Sequence, residues 1–180
     1  MTAHTDHRPS LADLATDYAR RRDPAALARL RAAVRRSGNY RSDLDVRAQV
    51  NPLLARGAHA EVVDLVRGLM PGAFWSPAAH AALAAAFDGL GDTERAARER
   101  RTSVLALESV LATGDGTRER PWSVLRLSDE YDVLRARGRR SVRQELVTVH
   151  GRRADRHHCD DGTEAWFDLG WLDQVQEPAR

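Results

Sequence analysis

The run His157-His158-Cys159-Asp160-Asp161 gathers the side chains in this chain best suited to chemistry. Imidazole, thiolate and carboxylate all bind zinc or iron, and a Cys–His pair can make a sulfur nucleophile. On a strand, His157 and Cys159 point to one side and His158 to the other. Two ligands on a face fall short of the set a structural zinc ion uses. His150 and Asp155 are the nearest further donors. A metal reading therefore takes His150, His157 and Cys159 as ligands, and a nucleophile reading pairs Cys159 with His157 or His150. The simpler expectation is an exposed hairpin end with Cys159 turned inward and no metal or other cofactor. Asp129-Glu130 resembles a catalytic carboxylate pair, but it falls in the first turn of a helix, where acids cap free amides and suit the dipole. The sequence holds no glycine-rich phosphate loop, no Gly-x-Ser-x-Gly elbow and no His-Glu-x-x-His. Binding rather than catalysis is the expectation.

The elements that must position these residues follow from the turn signals. After Gly114-Asp115-Gly116, short alternating segments replace an alanine-rich helical pattern. Trp122–Leu127 reads as a strand, with Ser128 capping a helix over Asp129–Arg137 that Gly138 ends. Val142–Val149 alternates as a strand. Ala154–Cys159 and Thr163–Leu169 flank Asp160-Asp161-Gly162, an Asp-Gly turn that closes a hairpin. Three to four short strands and one helix are expected in this tail, residues 114–180.

Upstream the pattern is helical. Ser10 caps a helix with Leu11, Leu14, Ala15 and Tyr18 as its stripe, and Asp23-Pro24 opens the next. A third helix is expected from Ser42 or Asp43, kinked or broken at Asn51-Pro52, and a fourth over Ala60–Met70. Ser76–Leu90 and Thr93–Thr113 form a pair hinged at Gly91-Asp92, where glycine stops one helix and aspartate caps the other. Phe74-Trp75, in the preceding loop, read as core plugs. The hinge positions Asp23, Gly57 and Gly91 recur every 34 residues, with a helix on either side of each.

That period, with Leu83-Ala84, Phe87, Gly91-Asp92 and Ala96 at motif positions, resembles a tetratricopeptide-repeat array. Three such hairpins, stacked in order over residues 10–113, would follow a flexible leader at 1–9. The tail carries Gly114–Gly116, Asp129–Tyr131, Gln144, Gly162, Phe167 and Asp168. In that order it resembles the bacterial domain of unknown function 4919. The two resemblances imply an α+β chain: three helical hairpins and a small mixed α/β cap packed on the last helix. They imply no activity.

In tetratricopeptide arrays the first helix of each hairpin lines a groove that takes an extended peptide. By that resemblance Arg20, Arg47, Asn51 and Asp88 are the candidate binding residues, with Arg47 and Asn51 four apart on one helix face. A guanidinium fork fits a carboxylate, so an acidic or carboxylate-ended protein or peptide partner is expected. All 28 basic residues are arginine and 26 residues are acidic, which gives a formal net charge of +2. Residues 1–113 hold 16 arginines against 13 acids, and residues 114–180 hold 12 against 13. Neither part is a basic domain, so nucleic acid is not the expected partner. The single cysteine excludes an internal disulfide. With polar first residues and no apolar run of spanning length, the expectation is a cytoplasmic protein with no membrane partner.

Overall fold

The computed structural model describes residues 9–172, so the leader expected at 1–9 lies outside the described residues apart from Pro9. The element order is α1 (Leu11–Arg21), α2 (Pro24–Arg35), α3 (Val46–Ala55), α4 (His59–Gly68), α5 (Pro77–Gly89), α6 (Thr93–Leu111), β1 (Trp122–Ser123), α7 (Leu127–Ala136), β2 (Ser141–Val149), β3 (Arg152–Cys159) and β4 (Glu164–Asp168). It is an α+β chain with a small sheet in its C-terminal region. No helix among the described residues is long and apolar enough to cross a membrane.

Local chemistry sets most helix ends. Ser10 and Asp13 form a capping box at α1, and Asp23 accepts from the Ala26 amide ahead of Pro24 at α2. Ser76 and Asp92 cap α5 and α6 in the same way. Each leaves fewer orphan amides at a helix start. Gly57 and Gly91 take positive φ, at 72° and 78°, where a Cβ would be strained. The three hinge positions thus lie between helices, as the period predicts.

Three expectations change. The third helix starts at Val46, with Asp45 as its cap, rather than at Ser42 or Asp43. It also runs unbroken through Pro52. Pro52 is in its last turn on an exposed face, and the carbonyl that it leaves unbonded belongs to exposed Ala48. The strand expected over Trp122–Leu127 stops after Ser123. From there on the backbone bonds to groups from α2 and the α2–α3 connection instead of a neighbouring strand. Arg31 donates to the Ser123 and Val124 carbonyls, Tyr40 Oη to that of Leu125, and the Leu127 amide bonds to Ser42.

The hairpins also pack differently from a simple stack. Residues of α3 to α6 share one core around Val50, Val62, Val66, Ala79 and Phe87. The first hairpin instead buries Leu14, Tyr18, Leu27 and Leu30 against Trp75, Ala106 of α6 and Leu125. Trp75 anchors this arrangement. Its ring meets Tyr18 edge-on at 5.8 Å, and its Nε1 donates to Ser109 Oγ at 3.0 Å.

The sheet order is β1-β4-β3-β2, with β1 parallel to β4 and the other pairs antiparallel. Its core face carries Trp122, Ala165 and Phe167, which pack under α7 and the end of α6 at Val110. A chain ending at residue 113 would therefore lose Leu125 from the first-hairpin core and the whole cover of Val110. We expect such a chain to aggregate or to melt at least about 10 °C below the intact protein. A truncated chain as soluble and as heat-resistant as the full one, by light scattering and calorimetry, would mean that the two parts fold independently.

Candidate functional site

The groove residues do not share a surface. Arg20 is exposed on α1, whose hairpin packs on α6. Asp88 is held by Arg100 across the α5–α6 hairpin at 2.5 Å. Arg47 and Asn51 do line one cleft, with Ala78, Tyr131, Asp132 and Arg135, so its far wall is α7 of the tail. The carboxylate that Arg47 binds there is the chain's own: its Nε lies 2.5 Å from Asp132 Oδ1, which Arg135 also reaches at 2.9 Å.

The tail histidines separate as well. His150 sits in the β2–β3 turn at φ 50°, about 20 Å along β3 from His157. Cys159 is buried in the sheet core, where desolvation raises its thiol pKa. The ligand set His150, His157 and Cys159 therefore does not assemble, and neither does a Cys159–His150 pair. His157 meets different partners.

Those partners are carboxylates. Strand alternation sends Asp155 and His157 of β3 to the face covered by α7, beside Phe167 and Ala165 of β4. From α7, Glu130 projects onto them, one turn before Val133 and Leu134 on the buried face of that helix. His157 Nε2 lies 2.8 Å from Glu130 Oε2, and its Nδ1 lies 2.9 Å from Ser141 Oγ. Asp155 accepts from Gln144 Nε2 at 2.6 Å, and Gln144 in turn accepts from Tyr131 Oη at 2.5 Å. Glu130 and His157 are fully buried and Asp155 is 4% exposed. The ligand-type atoms of the three lie within 4.8 Å of one another. A polar chain thus runs from exposed Tyr131 into the core.

Burial dominates the electrostatics. It raises the Glu130 carboxyl well above its usual pKa, helped by the charges of Asp155 and Asp129. Asp155 is raised by the same cause. Desolvation lowers His157 to about 4, so the imidazole is neutral near pH 7. Asp129, next to Glu130, does cap α7, its carboxylate accepting from the Arg126 amide at 3.1 Å. Capping is thus right for Asp129, whereas Glu130 turns inward to the histidine. The sequence signal for this was an acid on the apolar stripe of a helix, three and four residues before Val133 and Leu134.

Chemically the cluster can share a proton among Glu130, Asp155 and His157, or offer two oxygens and a nitrogen to a cation. The open surface lies elsewhere. A cavity of about 510 Å³ opens where the first hairpin meets the end of α6 and the sheet, and Arg31 and Arg35 line it.

Two outcomes follow. Arg47→Ala leaves the nearly buried Asp132 with Arg135 alone, so it should cost about 1–2 kcal/mol in denaturant unfolding; an unchanged midpoint would show the pair to be idle. The second outcome concerns pH. A raised carboxyl contributes stability that is complete below its ordinary pKa and is lost as pH rises through the folded value. For Asp129, raised to about 6, that window runs from about 4 to 6. Glu130 acts in the same direction and His157 in the opposite one, losing stability as pH falls from its ordinary 6.5 to about 4. In chelator, Glu130→Gln should therefore raise the melting temperature relative to wild type more at pH 8 than at pH 5. An equal difference at both would show that the buried charge costs nothing. Comparison of the chain with protein-family models, with curated proteins and with solved structures finds no match.

Proposed function

We propose that the chain is a non-enzymatic cytoplasmic protein built on tetratricopeptide-like hairpins, and that it binds an acidic or carboxylate-ended segment of a partner protein. The binding surface in this reading is the cavity between the first hairpin and the sheet. The observation that carries it is Arg31. This guanidinium is only 6% exposed, yet among the described residues it forms no ion pair, and the charges of Asp129 and Asp168 reach it only from a distance. It donates to the Ser123 carbonyl and hydroxyl at 2.8 and 3.0 Å and to the Val124 carbonyl at 2.7 Å. Burial, with the like charge of Arg35 beside it, lowers its pKa to about 10. A buried cation with no carboxylate in direct contact is costly, and an anion bound beside it would reduce that cost.

The surroundings favour the same ligand. Arg35 forms no ion pair among the described residues, and burial followed by repulsion from Arg36 lowers its pKa. Arg22 and Arg152 line the same cavity, though they are already paired with Glu108 and Asp168. A second depression of about 490 Å³ shares Thr113, Ser123, Arg152 and Asp168 with the first and adds Arg118 and Arg120. The two adjoin through these shared residues in one trough, with Tyr18 and Trp171 in the lining of the first. Arginine suits this role because its planar fork binds a carboxylate through two parallel bonds.

Acidic hexapeptides with free and amidated C-termini provide the probe. By fluorescence anisotropy, Arg35→Ala should weaken binding of the free-acid peptides at least about tenfold, the equivalent of one charge-assisted hydrogen bond. Arg35 braces nothing, so the fold should hold. Arg47→Ala should leave binding unchanged. Binding indifferent to Arg35, or inorganic phosphate bound tightly with no peptide bound, would overturn the reading.

A further inference from the structure

The geometry points to a divalent metal site of the zinc–manganese class formed by Glu130, Asp155 and His157 beneath α7. Three ligand atoms of suitable type lie within 4.8 Å of one another, and all three residues are buried. A mixed set of one imidazole and two carboxylates is the donor chemistry of such ions rather than of calcium, which takes oxygen alone, or copper(I), which takes sulfur.

Glu130 Oε1 supplies an independent pointer. It is buried on a fully buried side chain, and no N–H or hydroxyl group donates to it, the neighbouring Asp155 being a second carboxyl. Leaving such an oxygen unsatisfied costs free energy that a bound cation would remove. Neither Glu130 nor Asp155 forms an ion pair with an arginine among the described residues; their hydrogen-bond partners are His157, Gln144 and each other. The charge of Arg153 acts on Asp155 without overcoming its burial, and burial dominates at Glu130 as well.

The outer contacts resemble those that orient metal ligands. When His157 Nδ1–H donates to Ser141 Oγ, the Nε2 lone pair is directed at the carboxylates. Gln144, itself held by Tyr131, fixes Asp155 from the other side. Gln144 is exposed, so rotation of the Tyr131–Gln144 pair opens a path for the ion.

The test uses the full chain stripped with chelator and titrated with zinc chloride in a calorimeter. One equivalent should bind, and Glu130→Gln and Asp155→Asn should each weaken it at least tenfold. Ser141→Ala, which removes the acceptor of the ring N–H and a 3.3 Å bond to the Arg143 carbonyl but no ligand atom, should weaken it by about 10- to 100-fold. His150→Ala should have no effect. Ring ¹⁵N NMR of the unaltered protein gives a readout that needs no variant, since zinc should shift the His157 Nε2 resonance. No stoichiometric uptake at about 100 μM zinc, or uptake with the His157 ring unmoved, would overturn the assignment and leave a shared proton as the cluster's only occupant.

Discussion

The guanidinium of Arg126 is the constraint on which the assembly depends. It is fully buried, at the N-cap of α7, and it reaches into the connection between α4 and α5. There its Nη2 donates to the carbonyls of Gly72 and Phe74. Its charge faces Asp129 at 3.7 Å and sits over the Tyr40 ring at 5.7 Å. Three segments distant in sequence therefore meet on one side chain. The arrangement is not the best that a buried pair can have, because Arg126 Nε and Nη1 and Asp129 Oδ1 lack partners. Such a pair adds little net stability, but removing either half would strand a buried charge. Its contribution is to fix how the tail docks on the helices. The same point is crowded, since a Cβ on Gly72 would lie 2.3 Å from the Asn39 carbonyl oxygen.

What could be read from the sequence divides by range. Capping and hinge chemistry act over a few residues, so Ser10, Asp23, Ser76, Gly57, Gly91 and Asp92 could be placed from spacing alone. The Asp160-Asp161-Gly162 turn and the alternation of β2 and β3 were readable for the same reason. Non-local bonds decided the rest. Nothing near Val124 says that Arg31, more than ninety residues earlier, will take its carbonyl. Nothing in the 34-residue period says that Trp75 will draw the first hairpin onto α6. At the site, His157 stood out by residue type, while Glu130 was hidden by the ordinary habit of acids in first turns. Its neighbour Asp129 follows that habit, and the one-residue offset around the helix separates the two roles.

Arginine content misled in a related way. Interspersed arginines and acids read as solvated helix faces, and many are: Arg21–Asp17, Arg98–Glu94 and Arg56–Glu61 are exposed pairs that contribute little. Arg31 and Arg126 are different, because each spends its donors on backbone carbonyls inside the protein. Arginine can do this where lysine cannot, since its rigid fork serves several acceptors at once and keeps its charge. A guanidinium of five donors with three bonds to Ser123 and Val124 still has donors to offer. Bracing the β1–α7 connection and presenting a charge to the cavity are thus compatible for Arg31.

The two-residue period of β3 sorts charged side chains onto two separate faces. Asp155 and His157 face α7, and Arg156 and His158 face the other way, where Glu145 and Glu164 pair with them. Arg152 and Ala154 lie on that second face and line the arginine-rich trough. The sheet is one backbone thick, but side chains on opposite faces cannot reach each other through it. Of the arginines lining the trough, Arg153 acts on Asp155 without overcoming its burial. Burial nevertheless outweighs the neighbouring opposite charges on both faces: Arg31 stays lowered despite Asp129 and Asp168, and Asp155 stays raised despite Arg153.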